Sequence, residues 1–177
     1  MAAIVVPFHA GKTRLAADAA ERDALAKAML QDVLDACSAI AEPLVETSGG
    51  GQGAAVERAL ATISEQPVLV VNADLPCLTA DDVRALLDAV PEDGLAVAPA
   101  PDGTTNALGL SRPGLFAALY GPGSAEEFRS HASQLGVPST VVVRPGFQHD
   151  VDTPADLERI VDRVGSHTRA ALAGAAA

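Results

Sequence analysis

Basic residues are few in this chain. Lysine and arginine together number 12 against 23 aspartates and glutamates, a formal charge of −11. Cations so sparse and scattered exclude a nucleic-acid polymer as partner, because such proteins cluster Lys and Arg to neutralise phosphates. Lysine is rarer still, with only Lys12 and Lys27. Cysteine is scarce as well. Cys37 and Cys77 have no C-x-x-C or Cys/His spacing, which excludes a cysteine-built metal site and reads as small core residues in a reducing compartment. No apolar run reaches membrane-spanning length, and no basic region followed by a long apolar stretch opens the chain, so a cytoplasmic protein off the membrane is expected. The patterns G-x-S-x-G, H-E-x-x-H and G-x-G-x-x-G do not occur, which leaves hydrolase-elbow, zinc-protease and hydride-transfer readings without support.

What is present alternates. Apolar runs bounded by turn residues ("AAIVVP", "PVLVVN", "DGLAVAPAP", "TTNALGLS", "STVVVRPGF") are interleaved with segments of helical period. Leu25, Met29, Val33 and Cys37 recur every four residues with Leu30 and Leu34 beside them, which predicts a long helix over 20–41. Further helices are predicted at "GQGAAVERALATI", at "TADDVRALLDAV" with Thr79 as cap and Asp82 three residues on, at "GSAEEFRSHASQLG", and finally at "TPADLERIVDRV". This order predicts an α/β fold, a mostly parallel sheet with helices on both faces. The 177 residues suit one domain, drawn over 1–165, with an alanine-rich tail over 166–177 whose stretch from Ala170 reads as a frayed helix end. In such sheets ligands bind beyond the carboxyl ends of the strands, so the segments after each strand are the candidates.

Six segments carry chemistry. "HAGKTRLA" after the first strand holds the end of a phosphate loop, Gly11-Lys12-Thr13, but lacks the first glycine of the full motif, so a plain strand-to-helix turn remains the alternative. "VLVVNADLP" sets Asp74 at the mouth of a buried strand, where a carboxylate can hold a hard cation. "HDVDTPADL" has Asp150 and Asp152 two apart, on one face if the segment is extended; a cap at Asp152 or Thr153 with Pro154 in the first turn is the plainer explanation. "SGGGQGAAV" is either a flexible linker or a glycine-opened helix whose backbone can approach a ligand closely. In "GTTNAL" and "YGPGS", Thr104, Thr105, Gly121 and Ser124 offer hydroxyls and helix-start amides to an anion, unless Ser124 is an N-cap paired with Glu127. His131 reads as a surface residue, and His9 and His149 have no metal-ligand spacing. Taken together the set points to nucleotidyl transfer, with Lys12 and Arg14 on a triphosphate and the aspartates on Mg²⁺.

The ordered set "VP…GKTRLA", "NADLPCLTADDV", "GTTNAL", "YGPGS" and "DVDTPADL" resembles the guanylyltransferases of coenzyme F420 biosynthesis, which act on 2-phospholactate or phosphoenolpyruvate. That resemblance implies a Rossmann-like nucleotidyltransferase fold of three layers. It implies transfer of GMP from GTP to a three-carbon phosphorylated acid, with pyrophosphate released and Mg²⁺ as cofactor. Carried across, Asp74, Asp150 and Asp152 are metal ligands. Lys12, Arg14 and Asp74 are catalytic, and Gly11, Lys12, Gly51, Gln52 and Gly53 lie at the nucleotide. Thr105, Gly121 and Ser124 hold the acid. The implied partners are GTP and the acid, with a homodimer left open. The chain departs from the family in a shorter loop before "GKTRL", with Phe8 and His9 in that region, and in "EPLVETSGGG", where relatives carry a longer strand and helix; the second strand is expected to be abbreviated or missing. Two other readings stay open: a trimmed homologue that only binds, and a nucleotidyltransferase of the same fold acting on a molybdenum cofactor precursor.

Overall fold

The computed structural model describes residues 2–9, 15 and 18–175. Six strands form one sheet in the order β2-β1-β3-β5-β4-β6. They are β1 (Ala3–Pro7), β2 (Pro43–Glu46), β3 (Val68–Val71), β4 (Leu95–Pro99), β5 (Thr105–Leu110) and β6 (Ser139–Val141). β1 runs parallel to β2 and β3, and β4 runs parallel to β6. β5 is antiparallel to both its neighbours, so the other strands share one direction. Residues 100–104 alone connect β4 to β5, a link too short for the crossover that a parallel pair requires. The second strand is present, though it is four residues long, and it closes one edge of the sheet.

The strands' alternation sends side chains to two helical layers. Ile4, Val6, Leu69, Val71, Ala96 and Ala98 pack with Val33 and Cys37 of α1 (Ala19–Ser38) and with Val83 and Leu86 of α3 (Ala80–Asp88). On the other face Val5, Val68, Val70, Val97 and Leu108 meet Val56 and Leu60 of α2 (Gln52–Leu60) and Phe128 of α4 (Ser124–Leu135). Burial pushes the Cys37 thiol up to about 12, which keeps it protonated as an apolar core group. Both cysteines are free. Among the described residues no helix is long and apolar enough to cross a membrane.

The C-terminal third departs from its sequence pattern. The helix predicted over "TPADLERIVDRV" is a short one, α5 (Pro154–Glu158), started by a capping box between Thr153 and Asp156. The residues expected as a frayed tail form α6 (Ser166–Ala175), folded back on α1. Asp32 of α1 causes this. Its buried carboxylate accepts the backbone N–H of His167 and Thr168, both at 3.0 Å, and so satisfies the orphan donors at the start of α6 from a neighbouring helix. Gly165 makes the approach possible, because a Cβ there would collide with the Asp32 carboxylate.

Candidate active site

The parallel strands end at a cavity of about 270 Å³, at the lower edge of the roughly 300–1,000 Å³ common for small-molecule sites. Its lining combines Phe8 and His9 after β1, Ser48, Gly50 and Gly51 after β2, Gln52 at the start of α2, and Asn72 and Asp74 after β3. Strand direction brings these together, since β1, β2 and β3 all point their carboxyl ends the same way. The loop with Gly11, Lys12, Thr13 and Arg14 lies outside the described residues.

The glycine-rich turn is not a slack linker. Gly50 and Gly51 have φ of 103° and 88°, values that side-chain-bearing residues rarely adopt. Arg58 of α2 then holds the turn, donating Nη2 to the carbonyls of Ser48 (2.9 Å) and Gly49 (2.8 Å), with Glu46 of β2 3.7 Å away. Nothing in the sequence motif marked Arg58, whose place follows from the helical spacing that returns it over the turn. Gly53 serves packing rather than the cavity. A Cβ on it would stand 2.7 Å from that of Ala118.

The three aspartates are neighbours through the backbone. The Val151 N–H donates to the Asp74 carbonyl at 3.0 Å, so the exit of β3 is bonded to the residue between Asp150 and Asp152. Their side chains divide, however. Asp74 lines the first cavity, whereas Asp150 and Asp152 together line a second one of about 420 Å³, with Asp102, His149, Asp156 and Arg159. Among the described residues no three His, Cys, Asp or Glu side chains converge as a metal cage. The donor set still suits Mg²⁺, which usually keeps several waters and takes one or two carboxylates beside substrate phosphates. Asp152 does not cap α5; Thr153 does, and hydrogen bonds led by that of the Thr153 hydroxyl hold the Asp156 carboxyl below its ordinary range. Burial chiefly, and then Arg163, lower the pKa of His149 against the opposing pull of Asp150.

The third cluster is assembled differently from its expectation. α4 has Gly123 as N-cap, in the left-handed region at φ 76°, and Ser124 is its first residue with no capping bond. The hydroxyl of Ser124 is buried and lies 2.9 Å from that of Thr105, tying α4 to the first residue of β5. The amides expected to be free are used as well: Ser124 N–H goes to the Gly121 carbonyl (3.1 Å) and Ala125 N–H to the Gly103 carbonyl (3.2 Å). These bonds brace the "GTTN" turn against the start of α4.

Sequence reasoning missed the two residues that join the cavities. Asn72 after β3 and Asn106 in β5 stand side by side because those strands pair antiparallel, and the Asn72 N–H bonds the Asn106 carbonyl at 3.0 Å. Their side chains link in turn to Gln52 on one side and Asp150 on the other. Both asparagines sit inside the motifs "VVNADLP" and "GTTNAL", beside acidic and hydroxyl residues whose chemistry is plainer.

The family model described as "Guanylyl transferase CofC like" matches residues 41–172, which run from just before β2 into α6. The chain belongs to this family. A 2-phospho-L-lactate guanylyltransferase of Halomicrobium mukohataei is 36% identical over 175 residues, covering 89% of this chain and 84% of that one. A phosphoenolpyruvate guanylyltransferase of Sphaerobacter thermophilus is 42% identical over 94 residues, a stretch that spans 52% of this chain and 45%, less than half, of that relative. Among solved structures, a nucleotidyl transferase from Methanothermobacter superposes with a TM-score of 0.65 at 15% identity, covering 92% of this chain and 96% of that one. At that identity the likeness speaks for the fold alone, which is the Rossmann-like nucleotidyltransferase fold that the CofC-like motifs implied.

Proposed function

We propose that this chain transfers GMP from GTP to a three-carbon phosphorylated acid, phosphoenolpyruvate or 2-phospho-L-lactate, and releases pyrophosphate, as a step of coenzyme F420 biosynthesis. A phosphate oxygen of the acid attacks the α-phosphorus of GTP. The bond from that phosphorus to the oxygen bridging to the β-phosphate breaks, and the electron pair leaves with pyrophosphate. The attacking phosphate is already ionised at neutral pH, so the chain needs no general base. It needs instead to hold two anions together and in line.

The observation that carries this reading is the junction of the two cavities at Asp74 and Asp150, with a glycine turn on one side and an acidic recess on the other. The turn at Gly50 and Gly51, braced by Arg58, would receive the nucleoside. Asp74, Asp150 and Asp152 would hold Mg²⁺, which when bound supplies the positive charge that offsets the approach of two phosphates. Lys12 and Arg14 would meet the triphosphate. The Thr105–Ser124 pair would keep the "GTTN" turn in place for the acid rather than touch it.

Pyrophosphate release tests the reading, measured with Mg²⁺ while GTP and each acid are supplied together and then singly. Release that requires both substrates is the expected result. Release from GTP alone would make the chain a hydrolase and overturn the transfer.

A further inference from the structure

The side-chain amides between the two cavities form a relay with a fixed direction. An amide donates through nitrogen and accepts through oxygen, so its orientation follows from what it meets. Asn106 Nδ2 faces two groups that only accept, the Phe147 carbonyl at 2.9 Å and the Asp150 carboxylate at 3.0 Å. Its Oδ1 must then face Asn72. Asn72 Nδ2 donates to that oxygen at 3.4 Å and to the Thr105 carbonyl at 3.2 Å, again acceptors. That leaves Asn72 Oδ1 for Gln52, which answers with Nε2 at 2.6 Å. The remaining end of the relay is Gln52 Oε1, on a side chain that lines the first cavity.

Resting on the guanylyl reading above, we infer that Gln52 determines the choice of base. Its Oε1 accepts from the N1–H and 2-amino edge of guanine, where two donors lie side by side. Adenine puts a bare acceptor nitrogen at the N1 position, and two acceptors face to face repel. A glutamine free to rotate could turn its NH₂ to that nitrogen and accept adenine too. This one is locked, because turning it would set Oε1 against Asn72 Oδ1. Asn72 in turn cannot rotate without setting its oxygen against the Thr105 carbonyl. The lock is anchored at its far end by a main-chain carbonyl and a carboxylate, neither of which can change role. Asn72 and Asn106 are thus positioning residues for Gln52, and a buried polar group left unmatched by the wrong base is a strong source of discrimination.

The test is the affinity of the whole chain for GTP and for ATP with Mg²⁺ and no acid, measured by calorimetry on wild type, Gln52→Met and Asn72→Ala. Wild type should prefer GTP. Gln52→Met should weaken GTP about tenfold or more and leave ATP little changed, in line with the cost of a lost base-edge contact. Asn72→Ala should narrow the preference from the other side, by tightening ATP as Gln52 gains freedom to turn. A Gln52→Met protein with a native melting curve and an unchanged GTP to ATP ratio would overturn the inference while leaving the guanylyl reading intact. A wild type without guanine preference would overturn both, and that result is visible before any variant is made.

Discussion

Asn106 shows how much one buried side chain organises at this site. It is almost fully buried and serves the Phe147 carbonyl, Asp150 and Asn72 at once. Replacing it with alanine strands those groups, and because an unmatched buried polar group costs about 1–3 kcal/mol, Asn106→Ala should lower unfolding free energy by about 2 kcal/mol in a urea titration. Ser124 makes a contrasting prediction. Its hydroxyl bonds Thr105 inside the protein, so Ser124→Ala should cost about 1 kcal/mol of stability, with a rise in the acid's KM secondary to a loosened turn. A large KM effect at unchanged stability would return Ser124 to direct substrate contact. On the proposed function Asp152 holds metal, so Asp152→Ala should abolish pyrophosphate release with an intact melting transition; retained turnover would remove that role. At this scale the sequence was readable where the signal is local, as with Asp74 just past the end of β3 and with Thr153 and Pro154 opening α5. It was silent on Asn72, Asn106 and Arg58, whose roles exist only once distant backbone has brought partners to them.

Secondary elements were legible in proportion to their local signals. The four-residue recurrence from Leu25 to Cys37 became the buried stripe of α1, and Thr79 with Asp82 became a capping box. The direction of β5 and the fate of residues 166–175 were less so. A short 100–104 link could have revealed the first. The second depends on Asp32, which lies in a different helix and caps α6 across space. Asp32→Ala should therefore destabilise the fold by about 2 kcal/mol and release α6 first, seen as faster amide exchange at His167 and Thr168. α5 carries a pH signature of its own. The Asp156 carboxyl is lowered in the folded state, chiefly by the Thr153 hydroxyl, so its contribution is present above the ordinary aspartate range and lost as pH falls through the folded value. Acid titration below about pH 4 should erode stability, and Thr153→Val should flatten that part of the curve.

Across the whole molecule, the carboxyl ends of the parallel strands gather the chemistry. Five strands run one way and present their ends to the cavities, while the reversed β5 inserts Thr105 and Asn106 among those ends from the opposite direction. Alternating strand and helix signals made the layered α/β architecture readable from sequence, and the ordered motifs made the CofC-like family readable as well. The partition of the aspartates between two cavities was not, because it is set by how the loops after β3 and β6 pack. On the proposed function, that partition would set nucleotide and acid on either side of one junction. On that same proposed function a new phosphorus–oxygen–phosphorus bond forms there. The most direct measurement is phosphorus NMR of the chain with GTP, Mg²⁺ and phosphoenolpyruvate or 2-phospho-L-lactate. Guanylyl transfer predicts a pair of coupled signals from an unsymmetrical diphosphate ester, growing in step with pyrophosphate. GDP and inorganic phosphate in their place, or an unchanged spectrum from folded protein with either acid, would contradict it.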